Sequence, residues 1–360
     1  MAWPVFPVGF FGTRFAGGNQ SADTIQALAQ AMLLGGQTTS PTAGGTLTIN
    51  GESLGSYDYL IKKGSQTISS FAASDWFTST EDTRSSWIVV DGDLTINSGQ
   101  TVIPSVRKLF TVLYVRGNLA VNGSISMTAR GANHSGSGNS GGSTTAAAIR
   151  IINGTYSGVT NPQVPSSGGG GGSGTSSGLG GDGSAGSSGG AGGGGGGAGG
   201  NGGTGGNGAS ATSFSAGAGG GAGNAGAGVA ATANGGRGGD AGGTAQGGAG
   251  AGNPGGTSKN IGYTGTGTID PESGTGGVLF IFCTGAISGS GSIIANGSRG
   301  GAGGTGPACG GGSGGGSITV LYSSGTPPTI TANGGSGNNG NSSPSSGGSG
   351  GAGTARALVL

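Results

Sequence analysis

Glycine doublets recur every three residues in the middle of this chain, as in Gly199-Gly200-Asn201-Gly202-Gly203-Thr204 and Gly235-Gly236-Arg237-Gly238-Gly239-Asp240. About half of residues 168–256 are glycine. A period of three is that of the extended left-handed polyglycine-II helix, which has no hydrogen bonds within one helix. Neighbouring helices without side chains can therefore bond N–H to C=O sideways. We expect residues 192–208 and 235–250 to form such a bundle, with φ of about −75° and ψ of about +145°.

The charge content argues that this glycine-rich segment is ordered. Disordered chains are usually rich in charge, whereas this one has 7% charged residues and a net charge of +1. Within residues 168–256 the charged side chains are Asp182, Arg237 and Asp240. Glycine loses much backbone entropy on folding, so an ordered tract needs dense hydrogen bonding between segments. A closely packed interior, enclosed between apolar layers, is the expected arrangement.

The composition also narrows the function classes. The near-neutral charge predicts no nucleic-acid partner, and no stretch approaches the ~20 apolar residues of a membrane helix, so we expect no membrane insertion. Met1-Ala2-Trp3-Pro4 has no Lys or Arg and leads into no apolar core, which predicts no secretory signal peptide. The two cysteines, Cys283 and Cys309, make no disulfide framework, and we expect buried thiols.

A repeat begins near Trp87 and defines the expected fold. Residues 113–131, 281–297 and 320–334 each read as an apolar strand, a Gly-containing turn, a second short strand, and then Ala-x-Gly opening a glycine tract. Residues 88–96 form a partial copy. The spacing between copies varies because glycine tracts are inserted between them, which favours stacked rungs. The sequence predicts a mainly β protein of stacked short strands, solenoid-like or sandwich-like, with a polyglycine-II helix bundle projecting from one end.

The amino-terminal region differs from the rest and predicts a small mixed domain with one short helix. Ser21 is a candidate N-cap for a helix over residues 22–34, which Gly35-Gly36 would end. Its apolar face would carry Ile25, Leu28 and Met32 and would need a partner to pack on. Short strands are expected at three places: residues 46–50, 57–61 and 66–71.

These patterns divide the chain into four parts. Residues 1–80 are expected to form an attachment and oligomerisation domain, and residues 81–153 a region of strand repeats. Residues 154–277 are the glycine-rich region with loops, and residues 278–360 combine strand repeats with glycine tracts.

No residue pattern indicates an enzyme, a cofactor or a metal site. The single histidine, His134, lies in a loop with no recognisable nucleophile or orienting acid nearby. Asp91-Gly92-Asp93 resembles a fragment of a calcium loop, but the other ligands of an EF-hand are missing, so a turn between strands is expected. The many Gly-x-Gly-x-x-Gly strings follow no strand and open no helix, as a dinucleotide site requires.

Loops that interrupt glycine are the candidate recognition sites. Tyr156, Phe214 and Tyr263 are aromatic residues in glycine-rich surroundings, and Lys259 adds a charge to the insertion over residues 257–272. Aromatic side chains dominate many recognition surfaces because they offer a large rigid area. The alternative is that each aromatic fills a gap in the bundle, and both interpretations remain open at this point.

Glycine tracts alternating with short variable loops resemble the tail-fibre tip adhesins of T-even-like phages. The resemblance covers roughly residues 130–355 and rests on the Gly-Gly-x triplets and interrupting loops. It implies receptor-contacting loops at the end of a polyglycine-II bundle. The part of the chain before residue 130 carries no motif of that family.

This resemblance implies a bacteriophage virion protein, in the first place a tail fibre or tail-tip adhesin that binds the host surface. Residues 1–80 would attach it to other virion proteins, as a homo-oligomer, after assembly in the host cytoplasm. A non-adhesive capsid decoration or structural tail component is an alternative that the sequence leaves open. A bacterial glycine-rich surface protein is a second alternative, because such proteins also contain Gly-Gly-Ala and Gly-Gly-Asn triplets.

Overall fold

The computed structural model describes residues 20–22, 24–49, 52–68, 84–104, 108, 110–131, 149–150, 155–156, 159–160, 163–164, 207–208, 210, 217, 276–299, 312, 314–337 and 348–360. These residues form one helix, α1 (Ile25–Leu33), and the following strands. The strands are β1 (Gln20–Ala22), β2 (Thr42–Ile49), β3 (Glu52–Lys63), β4 (Gln66–Ile68), β5 (Ser85–Asp91), β6 (Leu94–Ile96), β7 (Thr101–Val102), β8 (Thr111–Val115), β9 (Leu119–Val121), β10 (Ser124–Ser126), β11 (Ile149–Arg150), β12 (Thr155–Tyr156), β13 (Val159–Thr160), β14 (Gln163–Val164), β15 (Val278–Ser288), β16 (Ser292–Ile294), β17 (Ser317–Gly325), β18 (Thr329–Thr331) and β19 (Thr354–Val359).

The strands stack as successive rungs, each rung being one passage of the chain around three walls. The first wall is the parallel series β3, β5, β8, β15, β17 and β19. The second wall is β4, β6, β9 and the last residues of β15. The third wall is the parallel series β7, β10, β16 and β18. Because β15 runs around the edge between the first two walls, they join into one curled 11-stranded sheet, and the third wall is a separate 4-stranded sheet.

The expected strand repeats correspond to these rungs. The copies at residues 113–131, 281–297 and 320–334 supply the third, fourth and fifth rungs, and residues 88–96 lie in the second. The prediction of a mainly β fold with one short helix is therefore confirmed for the described residues. The strand expected at residues 57–61 lies in β3, and those expected at 46–50 and 66–71 overlap β2 and β4 as far as their residues are described.

The register of the rungs continues across the longest glycine-rich segment. Strand β8 pairs with β5 at an offset of 25 residues. The hydrogen bond between Arg116 and Asp91 spans the same number of residues. The next strand in the wall, β15, pairs with β8 at an offset of 168 residues, as shown by the Thr284 Oγ1 bond to Arg116 O. The residues between the third and fourth rungs are thus an insertion into a single corner of the stack.

The first wall is buried on both faces, which explains its uninterrupted apolar runs. Along β15, Leu279, Ile281 and Cys283 belong to the inner core between the three walls, whereas Phe280 and Phe282 belong to an outer cluster. The same alternation holds along the other strands of the wall. Phe110 joins the outer cluster with edge-to-face contacts to Trp87 and Phe280, at ring-centroid distances of 6.1 and 6.2 Å.

Helix α1 covers part of this outer face. Its buried side chains include the predicted Ile25, Leu28 and Met32, and the amide of Gln30 donates to Tyr114 Oη at 3.5 Å. The prediction for the helix start was wrong: Thr24, not Ser21, is the N-cap. Thr24 has extended backbone and its Oγ1 accepts a hydrogen bond from Ala27 N at 3.1 Å, which is the interaction an N-cap provides.

The amino-terminal strands cap one end of the stack. Strand β2 pairs antiparallel with β3, and β1 pairs parallel with β2. Consequently the described parts of residues 1–80 continue the same sheet and share the outer cluster with Trp87 and Phe280. The assignment of residues 1–80 to attachment stays a prediction about function, but its described residues pack as part of the solenoid.

Backbone contact between rungs requires glycine at the edge between the first and second walls. A Cβ atom on Gly117 would lie 2.7 Å from the carbonyl carbon of Gly92, and one on Gly285 would lie 2.5 Å from Gly117 O. Beside these glycines, Asp91 accepts from Arg116 Nη1 at 2.8 Å. The residues that resemble a calcium loop therefore form a turn between β5 and β6, as expected.

Cys283 is a free thiol within the inner core, fully buried as predicted. Burial raises its pKa from 9.0 to about 11. Burial, and to a smaller extent the neighbouring Tyr59 phenol, likewise raises the pKa of Tyr57 to about 12. Both groups are held in their neutral forms by the fold.

We predict that Cys283 makes the protein sensitive to alkali. The folded state binds the thiol proton more tightly than the unfolded state, so this stabilisation is complete below pH 9 and is lost as the pH rises to about 11. The slope it contributes in that window approaches about 1.4 kcal/mol per pH unit. Urea unfolding from neutral pH to about 11 should show a flatter decline for Cys283→Ala than for the parent. Parallel declines would contradict the assignment.

We also predict that the solenoid folds without residues 132–275. The two ends of this insertion meet, because Gly277 N donates to Met127 O at 2.8 Å. Replacing it with a linker of about four residues should keep a cooperative β-sheet unfolding transition, monitored by circular dichroism. Among the losses would be the bonds that Asn207, Gly208 and Gly217 make to other described residues. An unfolded or aggregated product would show that the insertion is part of the folding unit.

Candidate functional site: the glycine corner

All the glycine tracts with described residues depart from the same corner of the stack, where the third wall leads back to the first. They connect β10 to β15, β16 to β17, and β18 to β19. We call their described parts the glycine corner, which comprises residues 207–208, 217, 276–277, 295–299, 312, 314–316, 332–337 and 348–353. The sequence predicted that the tracts project from one end of the stack; their described residues lie instead along one corner at the side of the later rungs.

The segment 348–353 bonds to three neighbours in rotation. Gly348 O accepts from Gly312 N at 2.9 Å, and Gly351 O accepts from Gly315 N at 3.0 Å. Between them, Ser349 bonds to Asn207 and Gly208. Gly350 N and Gly353 N donate to Gly335 O at 2.8 Å and Ala332 O at 2.6 Å. Contacts with one neighbour thus recur every three residues, whereas a β-strand would repeat every two.

The segment 314–316 lies at the centre of the corner and bonds to four other segments. Gly314 O accepts from Gly276 N at 3.1 Å, and Gly315 O accepts from Gly217 N at 2.8 Å. Gly315 N donates to Gly351 O, and Gly316 N donates to Ala295 O at 2.7 Å. Three consecutive residues therefore send hydrogen bonds in several directions around the chain axis, which a flat sheet does not allow.

The segments approach so closely that no side chain would fit at several positions. A Cβ on Gly312 would lie 2.0 Å from Gly335 O, and one on Gly334 would lie 2.0 Å from Gly350 O. For Gly217, the corresponding distance to Gly351 O is also 2.0 Å. Backbone therefore packs directly on backbone, and the hydrogen bonds described above hold the segments together.

In the earlier rungs, the same corner holds buried charged side chains instead of glycine segments. Asp58 on β3 accepts from Lys108 Nζ at 2.8 Å and from Arg84 Nη1 at 3.2 Å. Lys108 is completely buried and the Asp58 side chain is 7% exposed. Arg130, also buried, donates its Nε to Pro104 O at 2.6 Å. Removing one partner of such a buried pair leaves an uncompensated charge, so this cluster fixes the corner where the chain enters the first wall.

A strained residue marks the start of the insertion. Ala129 has a φ of 55°, in the left-handed region that favours glycine, and its N–H donates to Asn296 O at 3.1 Å. It is fully buried. Such strain persists only where the surroundings fix it, and here the ladder to the fourth rung does so.

The structure describes one of the four residues predicted to bind a receptor. Tyr156 ends β12, which pairs antiparallel with β13, so its backbone belongs to a short hairpin. Phe214, Lys259 and Tyr263 lie outside the described residues. His134 and Cys309 also lie outside them. Of the tracts predicted to form polyglycine-II helices, residues 235–250 lie outside, and within 192–208 only 207 and 208 are described.

The polyglycine-II helices were predicted at residues 192–208 and 235–250, not in the shorter carboxy-terminal tracts that form most of the glycine corner. The Ala-x-Gly signal that opens these tracts does mark them: Ala295 and Ala332 are buried and accept bonds from Gly316 N and Gly353 N. The asparagine of each Ala-Asn-Gly was also missed. Asn296 Oδ1 accepts from Asn333 N at 2.8 Å, so the side chain of one rung supports the backbone of the next.

The described residues contain neither a membrane-spanning helix nor a metal-binding cluster. No helix there is long and apolar enough to cross a membrane. No group of three or more His, Cys, Asp or Glu side chains in that part of the chain could hold a metal ion. Comparison with protein-family models, with curated proteins and with solved structures gave no match for this chain.

We predict that Gly312→Val destabilises the glycine corner by about 2–3 kcal/mol or more, because the new side chain would overlap the backbone at Gly335. Gly36→Val is the matched control, since a Cβ there meets nothing within 4 Å. Thermal unfolding and amide hydrogen exchange of residues 348–353 should detect the first change and not the second. Equal behaviour of both variants would mean that the tracts are not closely packed.

Proposed function

We propose that the glycine corner is the base of a polyglycine-II bundle that serves as a rigid support for recognition loops. The observation that carries this proposal is the three-residue rotation of hydrogen bonds along 348–353, from 312 to 207–208 to 335 and back to 315. A polyglycine-II helix has three residues per turn and directs its peptide groups outward to successive neighbours. The close approaches at Gly312, Gly334 and Gly217 support the same arrangement.

Both chain directions occur in this packing, as expected for polyglycine-II helices. Bonds from 312 and 315 to 348 and 351 run parallel, because donor and acceptor numbers increase together. Bonds from 350 and 353 to 335 and 332 run antiparallel. The bonds to the parallel neighbour and those to the antiparallel neighbour both recur every three residues along 348–353. The three-residue period is therefore a property of segment 348–353 itself.

A rigid glycine support favours a recognition function because glycine backbone alone cannot discriminate between partners. Glycine segments present only peptide groups, which give rigidity but little discrimination between partners. Specificity must come from side chains where the tracts turn, and aromatic residues dominate such contacts. Holding them on a stiff base avoids the ordering cost that a flexible linker would impose on binding.

We therefore propose that the protein is a bacteriophage virion component, a tail fibre or tail-tip adhesin that contacts a host surface receptor. Tyr156, Phe214, Lys259 and Tyr263 are the candidate receptor-binding residues. Residues 1–80 would face other virion proteins, since β1 and β2 close one end of the stack while the glycine corner occupies a side of its later rungs. Antibody labelling of virions in electron micrographs would test this location directly.

We predict that replacing Tyr156, Phe214 and Tyr263 together by Ala lowers adsorption to host cells at least tenfold, or about 1.4 kcal/mol. Stability and particle assembly should not change if these side chains serve recognition, and thermal unfolding of the variant measures this directly. Leu34→Ala is the control: this side chain is 70% exposed at the end of α1 and should not affect adsorption.

Two outcomes would reject the adhesin proposal. Unchanged adsorption of particles carrying the triple variant would favour the non-adhesive structural component. Unfolding of the variant would show that the three aromatic side chains fill gaps in the protein, which would also remove the reason for assigning them to receptor binding.

A further inference from the structure

The chain contains several Asn-Gly pairs, and the structure describes four of them. They are Asn122-Gly123, Asn207-Gly208, Asn296-Gly297 and Asn333-Gly334. Asparagine is a chemically labile residue, and it is most labile before glycine because no side chain shields the following backbone nitrogen. The four pairs have the same two residues but different hydrogen bonding, so their reactivity depends on the fold.

The reaction is loss of the side-chain amide. The Gly backbone nitrogen gives up its proton and attacks Cγ of the preceding Asn, forming an N–Cγ bond and breaking the Cγ–Nδ2 bond. The released nitrogen takes up the proton and leaves as ammonia, and the chain then holds a five-membered succinimide. Water hydrolyses this ring at either carbonyl, giving aspartate or isoaspartate. No other reagent is needed.

In three pairs the attacking nitrogen is engaged in a hydrogen bond. Gly123 N donates to Ile96 O at 3.0 Å, Gly208 N to Ser349 O at 2.8 Å, and Gly297 N to Asn333 O at 2.8 Å. Each of these bonds holds the proton that must leave the attacking nitrogen. By contrast, Gly334 N–H donates no hydrogen bond in the part of the chain that the structure describes.

Two of the other three asparagine side chains, those of Asn207 and Asn296, are restrained as well. Asn296 Oδ1 accepts from Asn333 N at 2.8 Å, and Asn207 Oδ1 accepts from Ser349 N at 3.0 Å, so both amides are oriented by the ladder. The Asn333 side chain is exposed, and no hydrogen bond to it occurs within the described residues. Among the four described pairs, this is therefore the one in which neither the attacking N–H nor the side-chain amide makes a hydrogen bond to a described residue.

We propose that Asn333 is a spontaneous modification site, at which deamidation loosens the junction between the solenoid and the glycine corner. An isoaspartate routes the main chain through the former side chain and adds one atom between residues 332 and 334. The bonds from Gly353 N to Ala332 O and from Gly350 N to Gly335 O lie on either side of this point. Their common register cannot survive the added atom.

The test is peptide mass mapping of the full-length protein after incubation in mildly alkaline buffer. In the native state Asn333 should deamidate at least about fivefold faster than Asn122, Asn207 or Asn296, because each of those pairs must first lose a hydrogen bond worth about 1 kcal/mol. In concentrated urea the four pairs should react at comparable rates. Deamidation of Asn122, Asn207 or Asn296 in the native state as fast as that of Asn333 would overturn the proposal, as would the same selectivity in urea.

Matched variants separate the modification from its consequence. Asn333→Gln should abolish the fast reaction, because glutamine closes the larger ring slowly, whereas Asn122→Gln should leave it unchanged. In aged parent protein, hydrogen exchange of residues 348–353 should rise with the deamidated fraction, and in aged Asn333→Gln it should not. Exchange that rises equally in both would show that the corner loosens for another reason.

Discussion

Direct contact between backbones of successive rungs is the constraint on which the rest of the structure depends. Parallel strands lie about 4.8 Å apart, and a chain that turns at a shared edge must keep that spacing through the turn. At the edge between the first and second walls the chain keeps this spacing because Gly92, Gly117 and Gly285 stack without Cβ atoms between them. At the glycine corner the same condition extends from single residues to whole segments, and hydrogen bonds between glycine backbones replace side-chain packing there.

The two hydrophobic clusters depend on that spacing. Leu279, Ile281 and Cys283 point into the space between the walls, while Phe280 and Phe282 point outward, so one strand contributes to both. A parallel wall with apolar residues on both faces needs cover on its outer side. Helix α1 provides part of this cover, which is why the amino-terminal region cannot be removed without exposing residues such as Trp87.

Much of the β architecture could be read from the sequence, but its assembly could not. The strand–turn–strand units ending in Ala-x-Gly correspond to rungs because apolar alternation and glycine turns are local properties of the chain. The helix start was misplaced because Ser21 and Thr24 are both good caps by residue type; in the structure Ser21 lies in β1, which pairs with β2, and Thr24 accepts the bond from Ala27 N. The joining of residues 24–68 to the later rungs depends on pairing between distant strands, which no local pattern encodes. For the candidate site, the sequence triplets at 199–207 and 235–240 lie almost wholly outside the described residues, and the rotation of bonds along 348–353 and the asparagine ladder through Asn296 and Asn333 depend on register.

The offset of 168 residues between β8 and β15 also determines how long β8 waits for its partner strand during synthesis. Closing a loop of that length costs only about 1.7 kcal/mol more than closing one of 25 residues, so the native pairing is accessible at equilibrium. During synthesis at about 5–20 residues per second, however, roughly 10–30 s separate the emergence of these two strands. Throughout that interval β8 is the open edge of a half-built solenoid, with the main-chain groups that will pair with β15 still unmatched. The nascent protein must therefore remain unaggregated with a bare strand edge for longer than many whole domains take to fold.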